Sequence, residues 1–157
     1  TFIIIIMKNA SLFVAIAVMM TFLSCSTSKS VISFNTDLSK YSYIIFGNEL
    51  TGDKELDDIV LTVQNEIANT RLKVIPEQDI LILTALGKNI LSPTIHVITE
   101  KWDGGHTYIT ITFYDYNTKQ RVAVIKSSGI GLTISQDQKI AINAIRKELK
   151  KALGKKQ

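Results

Sequence analysis

Cysteine and histidine are scarce in this chain of 157 residues, which has one Cys and two His. A single cysteine cannot form a disulfide within the chain, so the folded part must depend on its hydrophobic core. Neither histidine, His96 nor His106, lies in a ligand spacing such as His-Glu-x-x-His. We therefore predict no catalytic residue, no bound metal and no cofactor.

The excess of positive charge is small, because the chain has 18 Lys and Arg residues and 14 Asp and Glu residues. Most of the basic excess lies near the C-terminus, where cations favour the end of a helix. No aromatic or glycine-rich recognition element accompanies it, so we predict no nucleic acid partner.

The one cysteine, Cys25, follows an apolar run, 10–23, that is preceded by Met7-Lys8-Asn9. A cationic start, an apolar middle and a small residue, Ser24, are typical of a bacterial export signal that is cleaved before a lipid-modified cysteine. We therefore predict a signal peptide over 1–24 and lipidation of Cys25. The natural start is expected at Met7, with 1–6 upstream of it.

Two alternatives for this segment are an uncleaved signal anchor and a buried structural cysteine. The anchor is disfavoured because the run from Ala10 has about 14 residues, and a membrane-spanning helix needs about 18 or more. The buried cysteine is disfavoured because the small polar stretch after Cys25, 26–30, is typical of a tether. We interpret 25–40 as lipidated cysteine and tether, and 41–157 as one folded domain.

Apolar periodicity predicts an α+β fold for this domain. Strands are predicted over 41–46, 72–75, 80–86, 94–99, 108–114 and 121–127. Apolar stripes at helical spacing predict one helix with Leu56 to Ile67 on its inner face and another that starts at a capping box, Ser135 to Gln138. We expect a mainly antiparallel sheet of about five to six strands with both helices packed on one face.

Three expectations concern individual segments. The continuous apolar run 80–86 is interpreted as a central strand covered on both faces. The connections 87–93 and 129–134 are expected to be mobile. The single tryptophan, Trp102, lies in a predicted hairpin tip, where it is either an exposed anchor for a partner or a lid over the core, and we favour the lid.

A family resemblance is carried by Tyr43-Ile44-Ile45-Phe46, 79–83, 113–118, Val122-Ala123-Val124, 138–149 and the box Phe22-Leu23-Ser24-Cys25. The first five segments together resemble the small α/β domain of Bacteroidota-like envelope lipoproteins of unknown function, and the box resembles the loose lipobox of the same group. The domain is similar, more distantly, to one shared by the curli-secretion lipoprotein, the N-terminal domain of the Tol-system periplasmic protein and the lipoprotein activators of peptidoglycan synthases. The resemblance implies a non-catalytic scaffold or docking module.

Two functions are consistent with these features. The first is a lipid-anchored interaction module on the periplasmic side of a bacterial membrane, expected to be the outer membrane, with an unknown envelope protein as partner and Trp102 as a candidate partner-binding residue. The second is a small-ligand-binding lipoprotein with a pocket between the sheet and the segment 129–134. An exposed apolar surface favours the first, whereas an enclosed polar concavity favours the second.

Overall fold

The computed structural model describes residues 25–32, 36–48, 51–102 and 105–155, so the predicted signal peptide lies outside the described residues. The strands are β1 (Cys25–Ile32), β2 (Tyr43–Ile44), β3 (Lys73–Val74), β4 (Ile90–Thr99), β5 (Thr107–Asp115) and β6 (Arg121–Ile130). The helices are α1 (Lys54–Ala68), α2 (Ile80–Ala85) and α3 (Ile134–Leu153). Within the described ranges, every helix is too short or too polar to span a membrane.

The strands form one mixed sheet in the order β1-β6-β5-β4-β2-β3. Strands β1, β6, β5 and β4 pair antiparallel, whereas β2 runs parallel to both β4 and β3. The predicted α+β class, with a mainly antiparallel sheet, is confirmed.

Helix α1 begins where the sequence supplies an N-cap. The Asp53 carboxylate accepts hydrogen bonds from the backbone N–H groups of Glu55 (3.0 Å) and Leu56 (3.4 Å), which pairs two of the donors that the first turn leaves open. The predicted inner stripe is buried, at Ile59, Val60, Val63 and Ile67.

The N-cap of helix α3 lies two residues before the predicted one, so the capping box at Ser135 is wrong. The N-cap is Thr133, whose hydroxyl oxygen accepts from the Gln136 N–H at 3.3 Å, and the Gln136 side chain accepts from the Leu132 N–H at 2.9 Å. Thr133 has the extended backbone of a cap, with φ −141°, whereas Ser135 already lies in the first turn. Gly154 ends the helix with φ 79°, as predicted.

The core lies between the sheet and helices α1 and α3. Alternate residues of β5, among them Ile109, Ile111 and Phe113, are fully buried against it. The helices contribute the side chains at α-helical spacing, including Ile145 and Leu149 of α3, which are also fully buried. The two helices are joined at their surface, because Arg146 of α3 donates to Glu66 of α1 at 2.7 Å.

The apolar run 80–86 does not form the predicted central strand, because it is helical. Helix α2 ends in a pair of hydrogen bonds typical of a Schellman motif, from the Gly87 N–H to the Thr84 carbonyl (2.9 Å) and from the Lys88 N–H to the Leu83 carbonyl (2.9 Å). Gly87 supplies the positive φ, 67°, that this ending needs. The neighbouring turn is also shorter than predicted, since β4 already begins at Ile90.

The segment 25–32, predicted as part of a tether, is an edge strand. Strand β1 pairs with β6 along its length, with Cys25 opposite Ile130. The residues 26–30 of this edge strand are Ser, Thr and Lys, which lack the apolar alternation that identifies strands, so this part of the sequence looks like a linker. The sheet therefore begins at Cys25 and not at Tyr41.

Candidate functional site

The face of the sheet opposite α1 and α3 is largely open to solvent. Its central strands present Ile98 and Tyr108, which are 49% and 39% exposed. Within the described residues of β1, β4, β5 and β6 the one acidic side chain is Asp115, which is buried. These four strands therefore place Lys29 and Lys126 on the open face and contribute no exposed acidic side chain of their own.

A shallow groove of about 430 Å³ crosses this open face. It is lined by Lys29, Val31, Thr110, Thr112, Arg121, Val124 and Lys126. Lys29 lies directly opposite Lys126 in the register of β1 and β6, and like charges in that position repel each other. Electrostatics in the groove therefore favour an anion.

Helix α2 carries the most exposed large apolar side chains in the described part of the chain. Leu81 is 81% exposed, Ile82 is 62% exposed and Leu86, directly after the helix, is 65% exposed. We call these three residues the α2 patch.

The α2 patch faces solvent because the opposite side of the helix is anchored to the sheet. Ile80 and Leu83 pack against a second, smaller core cluster of Ile45, Ile75 and Ile90. Asn117, in the turn between β5 and β6, also donates to the Lys88 carbonyl at 3.3 Å. The patch is missed in the sequence because an apolar run signals burial, although Leu and Ala in the run and Gly87 after it are signals of a helix.

The opposite end of the sheet holds Cys25 and Trp102. Cys25 is exposed at the start of β1, and Trp102 is 59% exposed in the hairpin between β4 and β5. Two further exposed apolar residues lie at this end, Ile98 (49%) and Leu132 (54%). We call these four residues the anchor edge. The exposure of Trp102 shows that the favoured interpretation as a lid over the core is wrong.

The segment 129–134, predicted to be mobile and to border a pocket, packs closely against α3 at Gly129 and Gly131. A Cβ atom on Gly129 would lie 2.5 Å from the backbone nitrogen of Ala141 in α3. The Gly131 N–H donates to the buried Asp137 carboxylate. At these two glycines α3 leaves no room for a ligand between the helix and the end of β6.

Asp115, 6% exposed at the end of β5, is held by three hydrogen bonds. Its carboxylate accepts from the N–H groups of Asn117 and Thr118, both at 2.9 Å, and from the Tyr41 hydroxyl at 2.7 Å. Burial alone would raise the pKa of Asp115, but these bonds to the charged form outweigh it and hold that pKa below its ordinary value. Burial, followed by the bond to Asp115, raises the pKa of Tyr41. The Asp115 carboxylate therefore stabilises the turn between β5 and β6, and its bond to Tyr41 joins this turn to the segment before β2.

We expect Asp115→Asn to lower the free energy of unfolding by about 2 kcal/mol near neutral pH, since hydrogen bonds to a charged group contribute about 1.5–3 kcal/mol. The folded-state pKa is below the unfolded one, so the carboxylate stabilises the fold above about pH 4 and loses this effect as the pH falls through the folded-state pKa. The difference between wild type and variant should shrink below about pH 4, as measured by urea unfolding.

Asp58→Asn, on the exposed side of α1, is the control for this comparison, and it should change stability by less than about 0.5 kcal/mol. A wild-type advantage over Asp115→Asn that stays constant into strong acid would contradict the role given to the charge.

The two histidines make ordinary surface contacts. His96 is exposed on the open face, whereas the His106 Nδ1 lies 3.1 Å from the Glu100 carboxylate and its ring stacks on Tyr108 at 5.6 Å between centroids. Across the described ranges, no group of three or more His, Cys, Asp or Glu side chains has an arrangement that could hold a metal ion.

The fold is similar to that of two solved structures of PelC dodecamers from Paraburkholderia phytofirmans, one of which carries a substitution. The first has 12% sequence identity and a TM-score of 0.50, and the match covers 85% of this chain and 100% of that chain. The second has 11% identity and a TM-score of 0.51, with 83% and 100% covered. No family model and no curated protein matches the chain. At such low identity, the similarity establishes the fold alone.

Proposed function

We propose that this protein is a lipid-anchored, non-catalytic interaction module of the bacterial cell envelope, on the periplasmic side of the outer membrane. A lipid on Cys25 would attach it, and the α2 patch would bind a protein partner. The exposure of Leu81, Ile82 and Leu86 carries this proposal. These side chains add little to the core, and clustered exposed apolar residues are typical of protein interaction surfaces.

The position of the patch relative to Cys25 supports this division of roles. Strand β4 begins at Ile90, beside α2, and ends at Thr99, beside the anchor edge. Nine residue steps of about 3.3 Å separate the two ends by about 30 Å. A lipid on Cys25 would therefore leave the α2 patch well away from the attachment point.

The surroundings of the α2 patch fit a partner that inserts apolar side chains. Two shallow grooves flank the helix, with volumes of about 430 Å³ and 220 Å³. Leu81 borders the larger groove and Ile82 the smaller one. The partner is proposed to be another envelope protein. Because the PelC structures are dodecamers, a second copy of this chain is the alternative occupant that the experiment must distinguish.

Binding of a small anionic ligand is the second candidate function. The groove with Lys29 and Lys126 favours it, because two opposed cations attract an anion. It ranks second because this groove is shallow and lies on an open sheet face, whereas small-ligand sites are usually concave and enclose most of the ligand.

A photoreactive amino acid in place of Leu81, in the full chain in its source cells, tests the proposal. We expect a defined adduct with one envelope protein, because a side chain that is 81% exposed would lie inside the interface. The same substitution of Thr94, exposed on the open sheet face, is the matched control and should not give this adduct. Adding Ile82→Ser to the Leu81 probe should weaken the adduct.

Protein purified from the same cells tests whether Cys25 carries the lipid anchor. The mass of the mature chain should correspond to a lipidated N-terminus at Cys25, and Cys25→Ser should leave an unprocessed precursor. Adducts between two copies of the chain would assign the α2 patch to self-assembly. Equal adducts from the Leu81 and Thr94 probes would overturn the α2 patch as the binding surface, and an unmodified Cys25 would overturn the lipid anchor.

A further inference from the structure

We infer that the anchor edge is a second membrane contact, in which Trp102, Leu132 and Ile98 lie against the lipid surface to which Cys25 is attached. This inference deepens the proposed function and rests on membrane attachment at Cys25. It assigns Trp102, a candidate partner-binding residue, to lipid.

The register of the sheet brings these residues to one end of the molecule. Cys25, the first residue of β1, lies opposite Ile130 at the end of β6. Gly129, its neighbour in β6, pairs with Thr107 of β5, which in turn pairs with Thr99 of β4. The hairpin with Trp102 joins those two strands, so Cys25 and the exposed tryptophan share one edge of the sheet.

Backbone hydrogen bonds between described residues on the two sides of the hairpin fix the position of Trp102. The Gly105 N–H donates to the Trp102 carbonyl at 2.9 Å, and the Glu100 N–H donates to the His106 carbonyl at 2.9 Å. A Cβ atom on Gly105 would lie 2.7 Å from the Glu100 carbonyl oxygen, so the turn has no room for a side chain there. A tryptophan that is 59% exposed beside these bonds indicates a surface contact outside the fold.

The chemistry of the edge fits the interface between lipid headgroups and acyl chains. Tryptophan is enriched at that depth because its ring is apolar and its N–H is polar. Among the described residues beside Trp102, Lys101 lies 3.6 Å from the Asp53 carboxylate and Glu100 contacts the His106 ring. Apolar contact is therefore the main attraction that this edge offers.

The sequence before Cys25 indicates the occupant. The apolar run 10–23 ends directly before the edge, so the membrane meets the chain at this point whether the run is cleaved and replaced by a lipid or kept as an anchor. The sequence therefore indicates a lipid surface as the contact of the anchor edge.

The chain has one cysteine and one tryptophan, which permits a direct test. The experiment uses a chain of residues 25–157, which contains every described residue. Its Cys25 is coupled to a maleimide phospholipid in phosphatidylcholine vesicles. We expect the Trp102 fluorescence to move to shorter wavelength on coupling and to be quenched by brominated acyl chains. Replacing Ile98 and Leu132 by serine should reduce the quenching while the coupling remains complete.

The matched control moves the reporter to the far end of the molecule. Trp102→Phe combined with Leu81→Trp should give a tryptophan that is neither shifted nor quenched, because Leu81 lies in the α2 patch. Emission from Trp102 that stays unchanged on coupling, or equal quenching at both positions, would overturn the inference. Because the lipid is attached chemically, either result is independent of whether cells lipidate Cys25.

Discussion

Replacing Gly129 by alanine should lower the free energy of unfolding by about 3 kcal/mol or more, at the upper end of the range for overpacking. A Cβ atom at this position would lie 2.5 Å from the backbone nitrogen of Ala141 and 2.9 Å from the Cβ of Ile140. A backbone atom cannot be displaced by a side-chain rotation, so the whole of α3 would have to move away from β6.

The contact at Gly129 is reinforced two residues earlier in β6, where the Ser127 hydroxyl donates to the Ala141 carbonyl at 2.9 Å. Urea unfolding of Gly129→Ala measures the cost. Gly47→Ala is the matched control, because nothing lies within 4 Å of a Cβ atom there, and it should change stability by less than about 0.5 kcal/mol. If the two variants have similar stability, α3 is not packed on β6 as closely as described.

The strands that could be predicted from the sequence are those with one face in the core. In β5, the alternation of Ile109 and Ile111 with Thr110 and Thr112 reflects a buried face and an open face, and this pattern survives in the sequence. The inner stripes of α1 and α3 could be predicted for the same reason, because each helix buries one side against the sheet.

The elements that escaped prediction have positions that depend on the rest of the fold. Strand β1 is polar because it is an edge, and only its register with β6 shows that Cys25 begins a strand. Helix α2 is apolar on both sides, and only its packing shows that Ile80 is half buried while Leu81 is exposed. Burial is a tertiary property, so the α2 patch could not be located before the structure.

The exposure of individual residues in the candidate surfaces was also not predictable from the sequence. Trp102 was a candidate in the sequence because a single tryptophan in a hairpin has two plausible roles, and the observed exposure of 59% removes one of them. The α2 patch had no such signal, because a leucine that contacts a partner has the same hydrophobicity as a leucine that packs in the core.

Leu149→Ala should lower the free energy of unfolding by about 3–4 kcal/mol, within the range of buried leucine truncations. Leu149 is fully buried in the middle of the α3 stripe, beside Ile145. Its loss removes apolar contact with the core and leaves a cavity that the flanking sheet and helix can fill only in part.

Leu81→Ala is the matched control for Leu149→Ala, because it deletes the same atoms from a side chain that is 81% exposed. It should change stability by less than about 0.5 kcal/mol, although it removes part of the proposed binding surface. Chemical unfolding of both variants therefore separates a leucine that holds the fold together from one that is available to a partner. Comparable destabilisation by the two substitutions would mean that Leu81 itself is packed against the rest of the protein, and the interaction surface would then have to be sought elsewhere.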